Sequence, residues 1–126
     1  MESGTPESAI PKSGKPQILV VDDDSDVREI LAETLTEFGY RVLQAGSAEE
    51  ALPLLAQRRD IALLITDVRM PGMSGLELAG MAQTRDPRLR VIVMSGYFLP
   101  QPVTARFLRK PFHMQELAAA IGAELP

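Results

Sequence analysis

An α/β fold, a parallel sheet of five strands with helices on both faces, is written in two features of the chain. Apolar runs end in acids: Ile18-Leu19-Val20-Val21 stops at Asp22-Asp23-Asp24, and Ile61–Thr66, largely apolar, stops at Asp67. Unbroken apolar runs of this length suit strands buried on both faces, as in a parallel sheet. Between such runs lie segments of helical period, and strict alternation of β and α implies a doubly wound parallel sheet.

The elements follow in order. Met1–Pro16 is rich in Ser, Pro, Gly and Lys with a single isolated large aliphatic residue, Ile10, so it reads as a flexible tail or linker. Residues 17–126 then form the one domain. The first strand, Gln17–Asp22, is followed by Val27, Ile30, Leu31, Leu35 and Phe38 at helical spacing, with Gly39 placed as terminator. Tyr40–Ala45 is a short second strand. Ser47-Ala48-Glu49-Glu50 is a capping-box pattern that opens the second helix, and Pro53 should kink or shorten it. Ile61–Thr66 is the third strand. The turn-rich stretch Met70-Pro71-Gly72-Met73-Ser74-Gly75 leads to a helix around Leu76–Gln83. Arg90–Ser95 and Arg106–Leu108 are the last strands, and Met114–Glu124 is the closing helix.

One connection is short. Gly96–Ala105 must carry the chain from the fourth strand back to the start of the fifth, and it contains Pro100 and Pro102. At about 3.3 Å per extended residue the segment reaches without a helix, and two prolines two apart oppose one. The expectation is four well-formed helices and a mostly extended fourth crossover.

Composition narrows the function. The chain of 126 residues has a single-domain length, a formal net charge of −4 and no cysteine. A general binder of nucleic acid or of anionic membrane needs a basic surface, so neither is expected. Disulfides, thiolate metal sites and cysteine nucleophiles are excluded. No apolar stretch is long enough to span a membrane and no signal core is evident, which points to a soluble, cytoplasmic protein.

In doubly wound sheets ligands bind beyond the carboxyl ends of the strands. Asp22, Asp23, Asp67, Ser95 and Lys110 all stand at or just past such ends. Crowded carboxylates repel, and a hard divalent cation with oxygen ligands relieves them. Asp23 and Asp67 can supply oxygens to Mg²⁺, with Asp22 bound directly or through water. The metal would screen Asp67 while a phosphoryl group approaches, so that a carboxylate serves as nucleophile. Lys110 and the Ser95 hydroxyl can each meet a phosphoryl oxygen. Each residue taken singly has a plainer role: paired aspartates often make a turn and helix cap, which is the reading for Asp24. Their joint placement at strand ends is what points to chemistry. His113 reads as a surface or capping residue, and the methionines read as core filler apart from Met70 and Met73 beside Asp67.

The motifs Ile18–Asp24, Leu64-Ile65-Thr66-Asp67-Val68-Arg69-Met70-Pro71-Gly72-Met73-Ser74-Gly75, Val91–Gly96 and Phe107-Leu108-Arg109-Lys110-Pro111-Phe112 resemble those of the receiver domain of two-component response regulators. The likeness runs in order from Gln17 to about Leu125 and extends to receivers of hybrid histidine kinases. It implies a flavodoxin-like sheet in the order 2-1-3-4-5. It implies transfer of a phosphoryl group to Asp67 from the phosphohistidine of a histidine kinase or a histidine phosphotransfer protein. Asp22, Asp23, Asp67 and the backbone carbonyl of Arg69 would then hold Mg²⁺, and Lys110 would partner the phosphate. Ser95 would be the switch hydroxyl, and Phe107 the aromatic that reorients with it. The resemblance also implies a cis bond between Lys110 and Pro111. The protein would be a signalling switch that catalyses only its own aspartyl phosphorylation and dephosphorylation, with a downstream partner the sequence does not name.

The chain departs from the family where receivers carry a full fourth helix, which here is shortened or absent. Tyr97, Phe98, Leu99 and Val103 would then either face a partner or fold onto the strands. Arg69, two residues past the acceptor, either pairs over the entrance or contributes only its carbonyl. Gly96 leaves room beside Ser95. Two other classes fit the residues less well. A phosphatase of the haloacid dehalogenase type needs a second acid where Arg69 stands. A flavin protein needs a phosphate loop where Asp22-Asp23-Asp24 is acidic. A receiver-like interaction scaffold that no longer cycles phosphate is the remaining alternative.

Overall fold

The computed structural model describes residues 16–96 and 105–125. The expected tail over Met1–Pro16 and the expected extended crossover over Gly96–Ala105 lie outside these residues, apart from Pro16, Gly96 and Ala105. So do Tyr97, Phe98, Leu99 and Val103. The described chain runs β1 (Gln17–Val21), α1 (Ser25–Glu37), β2 (Arg41–Ala45), α2 (Ala48–Gln57), β3 (Ile61–Asp67), α3 (Gly75–Arg85), β4 (Arg90–Ser95), β5 (Arg106–Arg109) and α4 (Met114–Glu124).

All five strands are parallel and lie in the order β2-β1-β3-β4-β5. The period of two along a strand divides the core between the faces. Leu19 and Val21 of β1, with Leu64 of β3 and Val91 and Val93 of β4, pack under α2 and α3. Ile18, Val20, Leu63, Ile65, Ile92 and Met94 pack under α1 and α4 through Leu31, Leu35, Leu117 and Ile121. β1 is buried along its whole length because both of its faces are roofed. The methionines depart from the expectation. Met94 is fully buried, but Met81 and Met114 are 50% and 41% exposed, and Met70 and Met73 pack against the α2/α3 core instead. Position on the helix decides this: Met81 lies on the outer side of α3, between the buried Ala79 and Ala82.

The helix ends explain themselves locally. Asp24 caps α1, its Oδ1 accepting from the amides of Asp26 and Val27 at 3.0 and 3.3 Å. Gly39 ends that helix at φ 98°, a left-handed conformation natural to glycine. Ser47 caps α2 by accepting from Glu50 N, while the Glu50 carboxylate turns back to Gly46 N at 2.7 Å. α2 runs through Pro53 and ends at Gln57, held by Ala48 and Ala51 in the core. α3 opens with a full capping box between Ser74 and Glu77. At the other edge of the molecule, Glu124 ties the end of α4 to the starts of β4 and β5, taking Arg90 Nε at 3.0 Å and Arg106 Nε at 2.7 Å.

Candidate functional site

The carboxyl ends of β1, β3, β4 and β5 converge on one acidic site. Asp22 directly follows β1, is 1% exposed, and is anchored by its amide to Ala45 O at 3.2 Å. Its Oδ1 accepts from Asp24 N at 3.0 Å. Its Oδ2 is buried with no hydrogen-bond partner. Asp23 beside it is exposed. Asp67, half-buried at the end of β3, accepts from Val68 N at 3.1 Å. Lys110 follows β5, and its amide donates to Ser95 O at 2.8 Å, so the pairing of β4 with β5 brings both residues to the same end. The Lys110 ammonium stands 3.2 Å from Asp67 Oδ1 and 3.6 Å from Asp22 Oδ2.

The electrostatics follow from this crowding. Oxygens of Asp22, Asp23 and Asp67 lie within 4.8 Å of one another. Three carboxylates against the single ammonium of Lys110 leave the cluster with surplus negative charge. Burial pushes the Asp67 carboxyl above its ordinary value. The Lys110 charge opposes that, and the Asp22 charge adds to it. A buried carboxylate oxygen without a donor is unfavourable unless a cation meets it. Asp22 Oδ2 is such an atom, with the Lys110 ammonium 3.6 Å away, beyond hydrogen-bonding distance. A hard oxygen donor set with one buried, one half-buried and one exposed member suits Mg²⁺, which keeps several of its waters. The residues therefore fit the metal.

The loops around the site are held by contacts that the sequence motifs do not spell out. The Thr66 hydroxyl donates to Asp67 O at 2.9 Å, and Gly75 N donates to Val68 O at 2.9 Å. A Cβ on Gly75 would fall 1.9 Å from Asp67 O, so α3 approaches β3 at a distance only glycine allows. Across the β3–α3 loop, Glu49 of α2 accepts from Met73 N at 3.1 Å, next to Gly72 at φ 78°. On the other side, Arg28 of α1 donates from Nη1 to Asp22 O at 2.7 Å and from Nε to Gln44 Oε1 at 3.2 Å. These contacts join positions up to 24 residues apart, so neither periodicity nor spacing points to them. The Ser74–Glu77 capping box, by contrast, has a local signal, Ser-x-x-Glu at the start of a helix, although in the sequence alone Ser74 reads only as part of a turn.

The remaining candidates occupy defined places. Ser95 is 2% exposed at the end of β4. Arg69 is exposed, two residues past Asp67. Phe107 is half-buried, opposite Val93, and packs against the α2/α3 core. No described atom comes within 4 Å of a Cβ placed on Gly96. His113 is an exposed N-cap of α4 whose amide donates to Glu116 Oε1 at 2.8 Å. The peptide bond between Lys110 and Pro111 is cis.

Comparison with known proteins agrees with this arrangement. Residues 18–122 match the response regulator receiver domain family. The chain is 35% identical over 112 residues to the response regulator receiver protein CpdR of Brucella abortus, covering 83% of this chain and 92% of that protein. It is 40% identical over 108 residues to the response regulator protein FleR of Pseudomonas aeruginosa, covering 80% of this chain and 23% of FleR. The chain thus spans about a quarter of FleR and nearly all of CpdR. Among solved structures, the receiver domain of the hybrid histidine kinase CckA superposes with a TM-score of 0.77 at 36% identity, covering 87% of this chain and 99% of that domain. With the strand order, the acidic cluster and these matches together, the chain belongs to the receiver domain family of two-component response regulators.

Proposed function

We propose that this receiver accepts a phosphoryl group on Asp67 and passes the signal on as a change of shape. The observation that carries the reading is the placement of Lys110 against both Asp67 and Asp22, within a cluster where Asp22 Oδ2 has no other partner. Asp22, Asp23, Asp67 and the carbonyl of Arg69 would hold Mg²⁺, which when bound supplies charge neutralisation of the carboxylates and of the incoming phosphoryl oxygens.

The chain's own residues do the rest. The Asp67 carboxylate, fixed by Val68 N on one oxygen, attacks phosphorus. The bond from phosphorus to the donor imidazole nitrogen breaks, its electron pair stays on the imidazole, and a P–O bond to Asp67 forms. The Lys110 ammonium exchanges its carboxylate partner for a phosphoryl oxygen, and the Ser95 hydroxyl takes another. Ser95 and Phe107 then move together, since both belong to the β4–β5 edge. Water then attacks phosphorus, the P–O bond to Asp67 breaks with its electron pair on the carboxylate, and inorganic phosphate leaves. The donor is the phosphohistidine of a histidine kinase or histidine phosphotransfer protein, in the cytoplasm. No enzymatic turnover of a separate substrate is involved.

Incubation with a small acyl phosphate and Mg²⁺, followed by intact mass measurement, tests the reading. One phosphoryl group should be gained and none by Asp67→Asn. An adduct that survives in Asp67→Asn would refute the assignment of the acceptor.

A further inference from the structure

The turn that carries Asp22 and Asp23 is held from two sides. Inside, Asp22 N is bonded to Ala45 O, and Asp22 Oδ1 closes back on Asp24 N. What grips the turn from outside is a side chain one helical turn further on. Arg28 Nη1 donates to the carbonyl oxygen of Asp22 at 2.7 Å, the shorter of its two bonds. The same guanidinium, through Nε, reaches Gln44 Oε1 on β2 at 3.2 Å. Both acceptors are neutral carbonyl oxygens. The planar fork of arginine can serve two acceptors at fixed angles, which an ammonium cannot.

The neighbourhood is built around this fork. A Cβ on Gly46, at the end of β2, would lie 3.3 Å from Arg28 Nη1, and the Gly46 amide is itself held by Glu50 at 2.7 Å. The guanidinium therefore sits in a slot between the β1–α1 turn and the β2–α2 turn. Fixing the carbonyl of Asp22 fixes the plane of the peptide between Asp22 and Asp23, and with it the directions in which the two side chains leave the backbone.

We propose that Arg28 is a positioning residue for the cation site: it holds the peptide between Asp22 and Asp23 against β2 so that both carboxylates converge on Asp67. This rests on the reading of Asp22, Asp23 and Asp67 as cation ligands. Two physical effects of Arg28 have opposite signs, which makes the inference testable. Its positive charge stands beside the cation site and disfavours a second cation there. Its two hydrogen bonds pre-organise the ligands and favour one. If charge dominated, removing Arg28 would tighten Mg²⁺ binding. If positioning dominates, removal weakens binding, and side chains that orient metal ligands from outside the coordination shell are typically worth about 10-fold or more in affinity.

Mg²⁺ titration of the unphosphorylated protein by calorimetry reads this directly. The wild type should bind one Mg²⁺, and Asp23→Ala should not; absence of wild-type binding would overturn the ligand reading itself rather than the role of Arg28. Arg28→Met, which keeps the stem and removes the fork, should bind Mg²⁺ about 10-fold more weakly. Arg28→Lys, with the charge but one donor group, should fall between. Gln44→Ala leaves the charge in place and removes only the brace, so it should weaken binding as well, and Gln44→Glu, which keeps an acceptor for Nε, should restore it. The Gln44 pair keeps the test sharp even where Arg28→Met folds poorly. Amide exchange at Asp23 and Asp24 should quicken in Arg28→Met and Gln44→Ala below their melting temperatures. Unchanged or tighter Mg²⁺ binding in Arg28→Met, or wild-type affinity in Gln44→Ala, would overturn the proposal.

Discussion

Two glycines on one helix make opposite predictions for the same substitution. Gly75 is the first residue of α3 and Gly80 lies in its middle. A Cβ on Gly75 would fall 1.9 Å from Asp67 O, 2.8 Å from Asp67 C and 3.0 Å from the Thr66 hydroxyl. The two closest of these are main-chain atoms, so no rotamer change relieves the clash and either α3 or the end of β3 must move. Overpacking of this kind costs about 1–3 kcal/mol, at times more. Displacement also strains the bond from Gly75 N to Val68 O, worth about 1 kcal/mol. The helix propensity of alanine returns less than about 1 kcal/mol. Gly75→Ala should therefore lose about 1–4 kcal/mol in urea unfolding, and its Mg²⁺ affinity should drop because the backbone that moves carries Asp67. At Gly80 nothing lies within 4 Å of the added carbon. Gly80→Ala should gain about 0.5–1 kcal/mol from helix propensity alone. A Gly75→Ala variant within 0.5 kcal/mol of wild type would refute the close approach of α3 to β3, as would equal effects at the two positions.

Further predictions concern the charges and the loop. Burial would raise the Glu124 carboxyl, but the hydrogen bonds and positive charges of Arg106 and Arg90 together outweigh it and hold the group below its ordinary value. A lowered folded value means stability that is present above the unfolded value and is lost as pH falls through the folded one. Glu124→Gln should thus flatten the acid limb of the stability profile and remove about 1 kcal/mol at neutral pH, the Arg partners being half exposed; a steeper acid limb would contradict this. Asp67 has the reverse sign, since burial raises its carboxyl, so its charge disfavours the metal-free fold as pH rises. Asp67→Asn should melt above the wild type in chelator at neutral pH, with the gap closing on addition of Mg²⁺, and a lower melting temperature in chelator would count against it. Glu49→Ala, which frees Met73 N, should speed amide exchange across residues 69–73 and destabilise by about 1 kcal/mol, while Glu49→Gln, which keeps an acceptor, should recover most of it; unchanged exchange in Glu49→Ala would show that the contact does not hold the loop.

The strands and their tips were legible because burial on both faces leaves a signal in single residues. Ile18–Val21 of β1, Ile61–Ile65 of β3 and Val91–Met94 of β4 are unbroken apolar runs, and the acids or serine that follow them stand out by contrast. The convergence of Asp22, Asp23, Asp67 and Lys110 followed once those tips were placed at one end of a parallel sheet. What stayed hidden were contacts between turns. Arg28 looks like any helix-surface arginine until Asp22 O and Gln44 are brought beside it. Gly75 looks like loop composition until Asp67 O lies against it. Pro53 stands inside α2 and the helix runs on to Gln57, where Leu54 and Leu55 pack against the core. Met81 and Met114 show the converse error, in which apolar composition suggested a core position that the helix faces do not give them.

The central claim is that Asp67, and no other carboxylate of the acidic cluster, takes the phosphoryl group in a Mg²⁺-dependent way. Reduction of the phosphorylated protein with borohydride converts an aspartyl phosphate to homoserine and fixes its position. Peptide mass mapping after treatment with an acyl phosphate should find homoserine at residue 67 with Mg²⁺ present, and none there in chelator or in Asp23→Ala. Homoserine at residue 22 or 23, or equal conversion of residue 67 without Mg²⁺, would contradict the account.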